Sequence, residues 1–440
     1  MADTGRIETD GSHINSGGTE HLVCPFGEGG RGFRPDVGSG YGSLHSTLTK
    51  ARTEAPVFYQ EDMHLWVISR HDDVVRVLQD DGRFSSSVRH VILDGLRADA
   101  REILAATSTF SAPNLGFDHV PDHTRLRRPF VRYFSARGVL EREAAIRRTA
   151  GLLLDTMAER PGTVDLVHNY SRPLATRVIM DVIGLPATDY RLLERYGEAV
   201  HSFFFGLVPP DRQVQAALEV REWEEYLDRF IELRLREPAD DLTSYLLREI
   251  DAGRAEYSRA EIIGFLSFDI VGAGIRSMSF ALPNLCRELL RTGGYWAALR
   301  DDPSLFENLF AEALRRSTLG LGLYRQTTTE VELGGVTLPP GAIVWVMTAS
   351  ADHDEKYFPD PDVFDPNRPN LRRSVSFGHS LHFCLGQNLA RLATRVGVEE
   401  LMRRYPDPRL VPDQVNEYDP STNLMVMSRL LVDLPVAAGS

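Results

Sequence analysis

The segment FGHSLHFCLGQNLAR, residues 377–391, concentrates the most reactive side chains of this sequence. His379, His382 and Cys384 fall within a stretch of six residues. Gly386 follows, and beyond it apolar residues recur at the spacing of a helix. The segment therefore predicts a loop that carries Cys384 to the first turn of a helix.

Three interpretations of this cysteine are compatible with the residues alone. The first is a core cysteine near two surface histidines, because free cysteine is among the most buried residue types. The second is zinc bound by His379, His382 and Cys384, although a structural zinc site needs more ligands and no second cluster appears near Cys24 or Cys286. The third is a single thiolate ligand of haem iron, which needs no other protein ligand because the porphyrin supplies the rest.

The predicted position at the start of a helix suits the third interpretation. Unpaired backbone N–H groups and the helix dipole stabilise a thiolate at such a position. The glycines around Cys384 allow the backbone to approach a macrocycle and to adopt positive φ. The lone cysteine thus has surroundings that fit an iron ligand.

Composition bounds the class of protein. The chain has 440 residues, of which 42% are hydrophobic and 25% charged, as in a folded globular protein. Its net charge of −13 argues against a general binder of nucleic acid or anionic membranes. Three cysteines make no disulfide framework, which indicates a reducing compartment. No apolar run reaches the roughly 18 residues of a membrane span, and the N-terminus lacks signal-peptide features, so we expect a cytoplasmic protein.

The sequence indicates one large domain. Residues 1–22 are polar and rich in Gly, Ser and Thr, which predicts a flexible tail. Beyond them no low-complexity linker, charge block or repeat interrupts the chain. We therefore expect residues 23–440 to form a single domain.

Local patterns predict a fold that is mainly α with minor β. Alternating apolar and polar residues over 55–68 predict two short strands. The segment TTTEVELGGVTL, residues 327–338, predicts a hairpin that turns at Gly334-Gly335, and residues 342–349 predict a buried strand. Most of the remaining chain has helical periodicity, as over 141–157.

In register, residues 377–386 resemble the haem-binding loop of cytochrome P450, the haem-thiolate monooxygenases. The family's loop reads Phe-x-x-Gly-x-(Arg or His)-x-Cys-x-Gly, and Phe377, His382, Cys384 and Gly386 match it. Ser380 stands where the family usually has glycine, so the turn is expected to be tighter or differently bonded. The resemblance runs from about residue 50 to 437. It implies a helical prism around a buried haem b, with small β-sheets and with the cysteine as iron ligand.

The resemblance also implies which residues hold the haem carboxylates. His123 and Arg127 lie four apart in the segment Asp122–Arg128, on one face of a predicted helix. Arg325 stands where the family places a second propionate-binding arginine, and His382 is expected to donate on the same side. Taken alone, the segment 122–128 would instead indicate a solvated basic helix face.

A second motif implies a structural ion network. Glu312 and Arg315 match the family's Glu-x-x-Arg pair, and their spacing of three puts both on one helix face. Such a pair is a weak signal by itself, but Phe364–Arg368 matches the segment that supplies the third member, Arg368. We expect these residues to form a buried network that fixes the haem loop.

The stretch before and through residue 277 predicts a buried helix. Ser258–Glu261 is a capping box, and Ile262–Val271 is apolar apart from Ser267 and Asp269. Gly272–Ser277, GAGIRS, then brings two glycines into the helix. The small residues have two explanations, namely room for dioxygen above an iron or close packing of helices.

In the P450 family this stretch usually reads Ala/Gly-Gly-x-acid-alcohol. Ala273 and Gly274 match, and Ser277 can replace threonine as the hydroxyl, so we expect these residues and Arg276 to form the oxygen side of the site. Arg276 replaces the acid and cannot relay protons as a carboxylate does, because it stays protonated. Pro283 is expected to kink the helix.

The pattern Gly-Ala-Gly-x-x-Ser resembles the branch of the family that oxidises cyclodipeptides and joins aromatic rings. It implies an oxidase that uses dioxygen, a ferredoxin and a ferredoxin reductase to couple a cyclodipeptide bearing an aromatic side chain, through a C–C or C–N bond. The missing acid agrees with this reaction, since radical coupling need not insert oxygen. A conventional hydroxylating monooxygenase for another natural product is the alternative, and a haem-binding protein without turnover is a third possibility.

The family also indicates where the substrate pocket should lie. Its lining is expected from residues 86–115, Phe203–Phe205, Leu319–Tyr324 and Asn423–Met425. Which of these side chains point inward is left to the tertiary structure.

Overall fold

The computed structural model describes residues 24, 26–33, 41–159, 162–205, 208–415, 417–419 and 423–435. The tail predicted over residues 1–22 lies outside the described residues. The organisation of residues 23–440 as one domain stays a prediction.

Helices dominate the described chain, as the apolar spacing predicts. They are α1 (Tyr41–Glu54), α2 (His71–Gln79), α3 (Arg89–Asp94), α4 (Ala98–Ala105), α5 (Ser108–Ser111), α6 (Asp122–Tyr133), α7 (Ala136–Leu140), α8 (Glu143–Ala158), α9 (Arg172–Ile183), α10 (Tyr190–Phe205), α11 (Gln213–Arg236), α12 (Leu242–Asp251), α13 (Arg259–Gly264), α14 (Ala273–Arg291), α15 (Tyr295–Asp301), α16 (Phe306–Arg316), α17 (Thr348–Ala351) and α18 (Gln387–Arg404). The largest hydrophobic core lies among these helices.

Short strands form the minor β part. They are β1 (Val57–Gln60), β2 (Leu65–Ile68), β3 (Phe84–Ser85), β4 (Gly162–Asp165), β5 (Leu323–Thr327), β6 (Val331–Leu333), β7 (Val336–Leu338), β8 (Ile343–Val346), β9 (Arg409–Leu410), β10 (Glu417–Tyr418), β11 (Met427–Arg429) and β12 (Leu431–Leu434). One sheet has the order β1-β2-β8-β5-β3, in which only β2 and β8 run parallel. A second has the order β4-β12-β9, and β6-β7 and β10-β11 are two-stranded.

The strands predicted from sequence are present. β1 and β2 pair antiparallel within the alternating stretch, and β8 lies in the apolar run after the hairpin. The hairpin itself is β6-β7, shorter than the predicted segment because Thr327 belongs to β5. Gly334 and Gly335 have φ of +60° and +80°, the left-handed conformation that a tight hairpin turn requires.

The helix predicted from the capping box forms the apolar centre of the fold. Ser258 and Glu261 exchange both capping hydrogen bonds at the start of α13. Phe265–Gly272 continues as a π-helix, a wider turn that is often found at functional sites, before α14 begins. The helix runs on through Pro283, so the expected proline kink does not divide it. The whole stretch Arg259–Arg291 is long and apolar enough to cross a membrane, but 67% of its most apolar window is buried, as in a core helix.

The ion network implied by the family is present at the end of α16. Glu312 accepts two hydrogen bonds from Arg315, at 2.7 and 2.8 Å, and one from Arg368 at 3.1 Å. The backbone N–H of Asp365 donates to the same carboxylate at 3.0 Å. Both Glu312 and Arg315 are fully buried, so each depends on the other to offset its lost hydration.

This network reaches the cysteine loop through Asp352. Arg315 donates to the Asp352 carbonyl at 2.8 Å. The Asp352 carboxyl accepts from the Val375 N–H at 2.8 Å and from the hydroxyls of Ser374 and Ser376 at 3.0 and 2.7 Å. The residues immediately before the predicted haem loop are therefore held by a continuous set of buried polar contacts.

We predict that Glu312→Gln destabilises the protein by about 3–5 kcal/mol, because it leaves two buried guanidinium groups without their carboxylate. Thermal or denaturant unfolding measures this loss. Glu307→Gln, on the same helix but in an exposed pair with Arg391, should leave stability nearly unchanged. Equal stability of the two variants would contradict the assignment.

Candidate active site

Cys384 sits on a loop that is closed by the protein's own backbone. Its N–H donates to the Phe377 carbonyl at 2.8 Å, and α18 begins at Gln387. The side chain is partly exposed, and it lines the large internal cavity of the fold. The loop thus presents the thiol to the cavity, as the sequence predicts.

The electrostatics of the thiol differ in one respect from the sequence expectation. Burial raises the pKa of Cys384, and this effect outweighs the N–H groups of Gly386 and Gln387 and the charge of Arg127, which all lower it. The helix start alone therefore does not make the thiolate. A metal ion bound by Cys384 would supply the missing charge, since metal coordination deprotonates a thiol ligand.

A cavity of about 760 Å³ lies above and around the cysteine loop. Nine of the residues predicted for the site line it, namely Arg127, Ala273, Gly274, Ser277, Arg325, Phe377, His382, Cys384 and Gly386. Two predicted residues, His123 and Arg276, are not among the residues that line it in the described part of the chain. The volume is large enough to hold a cofactor together with some space beside it.

One wall of the cavity has the character of an anion site. Burial lowers the pKa of Arg325 to about 10 and also lowers that of Arg127, so both face the cavity as charged groups in a poor environment for charge. Arg325 Nε and His382 Nε2 are buried without a hydrogen-bond partner. His123, fully buried, packs its ring 4.4 Å from that of His382, and neither of its nitrogens has a partner.

These observations fit an iron porphyrin. The thiol would supply a soft ligand for iron, and the unpartnered nitrogens of Arg325 and His382 could serve the two haem carboxylates. Gly386 adds a second indication, because a Cβ built there meets no protein atom within 4 Å. Its φ of −80° is accessible to any residue, so the backbone conformation does not require glycine here. The absence of a side chain instead keeps the space beside the cysteine open.

His382 needs a proton to serve such a carboxylate. Its Nδ1 lies 3.1 Å from the Leu115 carbonyl and donates to it, which leaves Nε2 as a lone pair in the neutral ring. Burial and the charge of Arg325 lower the pKa of His382 to about 3. The ring can donate from Nε2 only when it is protonated, and a neighbouring anion raises its pKa. Binding of the anion is therefore coupled to uptake of a proton by His382.

Ser380 resolves the departure from the family's loop. Its φ is +57°, the left-handed conformation that glycine adopts without penalty. Gly378, two residues earlier, has φ of +73°. The serine therefore keeps the glycine geometry and bears its steric cost, rather than forming a different turn.

Arg276 is placed away from the cavity. Its guanidinium pairs with Glu198 of α10 and with Asp419, and Asp419 also accepts from Arg172 at 3.1 Å. The position that carries an acid in the family thus holds a cation whose partners are acids. Arg276 joins α14 to neighbouring elements, whereas Ser277 on the next position lines the cavity.

The small residues at the start of α14, and Gly272 just before it, agree with both explanations that the sequence left open, namely close helix packing and room in the cavity. A Cβ on Gly274 would lie 2.9 Å from the Ile179 side chain, and one on Gly272 would lie 2.9 Å from Val200. A side chain at either position would have to displace Ile179 of α9 or Val200 of α10, so close packing favours both glycines. Gly274 also lines the cavity, and the Ser277 hydroxyl donates to the Ala273 carbonyl at 2.7 Å.

Aromatic rings form one part of the cavity wall. Phe117, Phe204 and Phe268 line it, with ring centroids of neighbouring pairs 4.1 to 5.5 Å apart. These stacked and tilted rings give an apolar wall that is suited to contact with another aromatic ring. Within the predicted zones, Phe203, Leu319 and Asn423 also line the cavity, and the Phe205 side chain lies outside the described residues.

Asp269 is a cavity residue that the sequence analysis did not assign. The N–H of Leu115 donates to it at 3.3 Å. Burial raises its pKa to about 7, against the opposing charge of Arg89. The available signal was a single acid in an otherwise apolar helix. Of the ionisable residues that line the cavity, Arg127, Arg325, His382 and Cys384 suit the cofactor. Asp269 and Tyr324 are the two that could contact a substrate.

The zinc interpretation of the cysteine segment is not supported. His379 Nε2 lies 2.8 Å from the side-chain nitrogen of Gln79. Among the described residues, His379, His382 and Cys384 do not bring ligand atoms together as a metal-binding group.

Comparison with known proteins identifies the family. A family profile described as Cytochrome P450 matches residues 297–429. "Cytochrome P450 107B1" of Saccharopolyspora erythraea is 33% identical over 390 residues, covering 85% of this chain and 89% of that protein. "Nocardicin C N-oxygenase" of Nocardia uniformis is 33% identical and covers 90% and 95%. "Cyclomarin C epoxidase" of Salinispora arenicola is 31% identical and covers 86% and 92%.

Solved structures agree with the fold. The complex of cytochrome P450 CREJ with (4-ethylphenyl) dihydrogen phosphate has a TM-score of 0.84 at 25% identity, covering 92% of this chain and all of that one. This chain belongs to the cytochrome P450 family. The predicted P450 fold, mainly helical with small sheets, and the expectation of a P450 monooxygenase-family enzyme are confirmed. A haem cofactor, a redox partner and a small-molecule substrate follow from the family.

We predict that Ser380→Gly raises the free energy of unfolding by up to about 1 kcal/mol, because glycine removes the left-handed strain at the cost of a more flexible unfolded chain. Ser380→Ala retains the strain and should give no gain. Denaturant unfolding of the haem-loaded protein compares the three. A glycine variant less stable than the alanine variant would show that the serine side chain is needed in the loop.

Proposed function

We propose that this P450 oxidises an aromatic secondary metabolite, with haem b bound through Cys384. When bound, a thiolate-ligated haem activates dioxygen, because the sulfur pushes electron density toward O–O cleavage. The proposal is supported by the thiol and the cationic wall that share one cavity. Two relatives, named as an N-oxygenase of nocardicin C and an epoxidase of cyclomarin C, act on secondary metabolites.

In this proposal each predicted residue has a separate task. Arg127 and Arg325 hold the haem carboxylates, with His382 as a donor and His123 packed behind it. Phe377 accepts the N–H of Cys384 and so fixes the sulfur. Gly386 leaves space beside the ring, which a side chain would fill. Ala273, Gly274 and Ser277 form the opposite wall of the cavity, and Arg276 positions that wall through its ion pairs.

We propose a cyclodipeptide with an aromatic side chain as the substrate. The cavity offers aromatic rings for the side chain, at Phe117, Phe204 and Phe268. It also offers Asp269, whose carboxyl is protonated about half the time near pH 7. A protonated carboxyl both donates and accepts, as the cis-amide edge of a cyclodipeptide does, so the two can pair through two hydrogen bonds. The buried Asp269 carboxyl in a cavity with aromatic walls is the observation that carries the substrate assignment.

Radical coupling is the reaction we propose for this substrate. Two substrate C–H or N–H bonds lose hydrogen and one C–C or C–N bond forms, while dioxygen, two electrons and two protons become two waters. Arg276 is turned away and offers no acceptor, so this turn of α14 lacks the proton-relaying acid of the family. We also propose that a ferredoxin and its reductase supply the electrons and that the protein works in the cytoplasm, in keeping with its three free cysteines.

Hydroxylation of a natural product remains the second candidate. The Ser277 hydroxyl lines the cavity and can take the place of the family's alcohol. In that reaction one oxygen atom enters the substrate and the other leaves as water. The relatives named as an N-oxygenase and an epoxidase favour this reaction class.

We predict that the reduced protein with carbon monoxide shows the red-shifted Soret band of thiolate ligation. Cys384→Ala removes the sulfur ligand and should abolish this band. Cys286→Ala, at a buried cysteine outside the cavity, should retain it. A protein that stays colourless when haem is supplied would refute the proposed cofactor.

We predict that a tryptophan- or tyrosine-containing cyclodipeptide perturbs the haem spectrum and binds about tenfold more tightly at pH 6 than at pH 8. The protonated form of a carboxyl with a pKa of about 7 falls by that factor over this interval. Arg89, Asp118 and Arg127 are the charged groups that act on Asp269. Asp269→Asn keeps a donor and an acceptor, so it should bind with no such pH dependence, whereas Asp269→Leu should bind poorly.

Product analysis separates the two reactions. With ferredoxin, reductase and the same cyclodipeptides, ring-joined or dimeric products support coupling, and a gain of one oxygen atom supports hydroxylation. Failure of every cyclodipeptide to change the spectrum, in protein with a normal carbon monoxide band, would refute the substrate class while leaving the P450 chemistry intact.

A further inference from the structure

A second group of metal-ligating side chains lies outside the cavity. His45 on α1, His353 just after α17 and Asp362 in the following loop each bring a ligand atom within 4.8 Å of the others. His45 Nδ1 is 2.7 Å from Asp362 Oδ1, and His353 Nε2 is 3.9 Å from the same oxygen. The two imidazole rings lie 3.7 Å apart. The proposed function makes no use of these residues.

The hydrogen bonding of His353 leaves one of its ring nitrogens available to bind a metal ion. Its side chain is 2% exposed, and its Nδ1 lies 3.1 Å from the Ala349 carbonyl, to which only an N–H can donate. Nε2 therefore carries the lone pair, and it has no hydrogen-bond partner. A ring nitrogen fixed by a backbone carbonyl, with the other nitrogen free, is the usual arrangement of a metal-binding histidine. Burial lowers the pKa of His353 well below its ordinary value, so the ring stays neutral.

Asp362 completes the group from the solvent side. The hydrogen bond from His45 lowers the pKa of this carboxyl, so it is ionised, and its side chain is 68% exposed. Its backbone is held in place, because Arg316 donates to the Asp362 carbonyl at 2.7 Å. The site therefore has two buried nitrogens, one fixed carboxylate and access for water.

We propose that His45, His353 and Asp362 bind a divalent zinc-type ion, with water as the remaining ligand. Two imidazoles and a carboxylate are a ligand set that zinc accepts. Tetrahedral coordination with bonds near 2.0–2.2 Å requires ligand atoms roughly 3.3 Å apart. The present 2.7 and 3.9 Å separations each need to change by only about 0.6 Å. His45 then binds through Nδ1 with its proton on Nε2.

Neighbouring cations do not prevent this site. Arg52 pairs with Glu355, Arg315 with Glu312, and Arg316 with Glu288, at 2.7 to 2.9 Å. Each guanidinium therefore has a carboxylate partner, although Arg315 shares Glu312 with Arg368 and Arg316 shares Glu288 with Arg287 and Arg291.

The ion would add to the bonds that already join α1 to this segment, where Arg52 donates to Glu355 at 2.9 Å and to the Ser350 carbonyl at 3.2 Å. It links α1 to the residue that follows Asp352, whose carboxyl holds the segment before the haem loop. We infer a structural role for this zinc ion: by holding His353, it stabilises the neighbouring Asp352 and the segment Ser374–Ser376 that precedes the cysteine loop.

Isothermal titration of zinc into the tag-free, chelator-treated holoenzyme tests the site. The wild type should bind one zinc ion per chain, and its thermal midpoint should rise on binding. Asp362→Asn and His45→Gln should each weaken binding at least tenfold; the buried His353 is left intact so that the variants fold. His168→Gln is the matched control, because His168 forms an equivalent surface pair with Asp165 at 2.6 Å.

Two results would overturn the site, namely no zinc binding by the wild type and equal binding by the wild type and the Asp362 and His45 variants. A control variant that loses as much affinity as these two would overturn it as well. The readout involves neither substrate nor the haem spectrum, so it is independent of the proposed reaction.

Discussion

The buried pair of Glu312 and Arg315 is the interaction from which the geometry of the site is built. Neither charge has access to water, and their hydrogen bonds are satisfied by each other, by backbone and, for Glu312, by Arg368. From Arg315 the contacts continue through Asp352 to the residues that precede Phe377. A sulfur ligand must be placed within fractions of an ångström, and a loop alone cannot provide that accuracy. The network gives the loop the rigidity of the helical core.

Burial sets the chemistry of the cavity by displacing several pKa values in directions that a cofactor with a metal ion and carboxylates would reverse. The pKa of the Cys384 thiol is raised, and the pKa values of the basic groups Arg127, Arg325 and His382 are lowered. Each of these groups is destabilised in the protein alone. A bound iron would favour the thiolate of Cys384, and the haem carboxylates would favour the charged forms of Arg127, Arg325 and His382.

The position of Arg276 shows how a family motif can change while its architecture is kept. The side chain leaves the cavity and finds acidic partners in Glu198 and Asp419. Ion pairs thus join α14 to its neighbours, with the cation, Arg276, on α14 and the anions, Glu198 and Asp419, on the neighbouring elements. The consequence for the reaction is that Ser277 faces the cavity without an acidic neighbour on that turn, whereas Asp269 offers a carboxyl two turns earlier.

The features that depend on near neighbours along the chain could be predicted from the amino-acid sequence. The capping box at Ser258, the turn at Gly334-Gly335 and the loop around Cys384 are short-range patterns, and all three are present. The sequence also indicated Glu312 and its partners, but only through resemblance to the family. Short-range hydrogen bonding and periodicity are local, so they can be recognised without the fold.

The directions of side chains and the shifts in their pKa values became visible only in the folded protein. The direction of Arg276, the raised pKa of Asp269 and the meeting of His45 with Asp362, 317 residues apart, all depend on packing between distant elements. Desolvation and long-range approach are properties of the assembled core. No local pattern in the chain encodes them, because they arise from what surrounds a residue rather than from its neighbours in sequence.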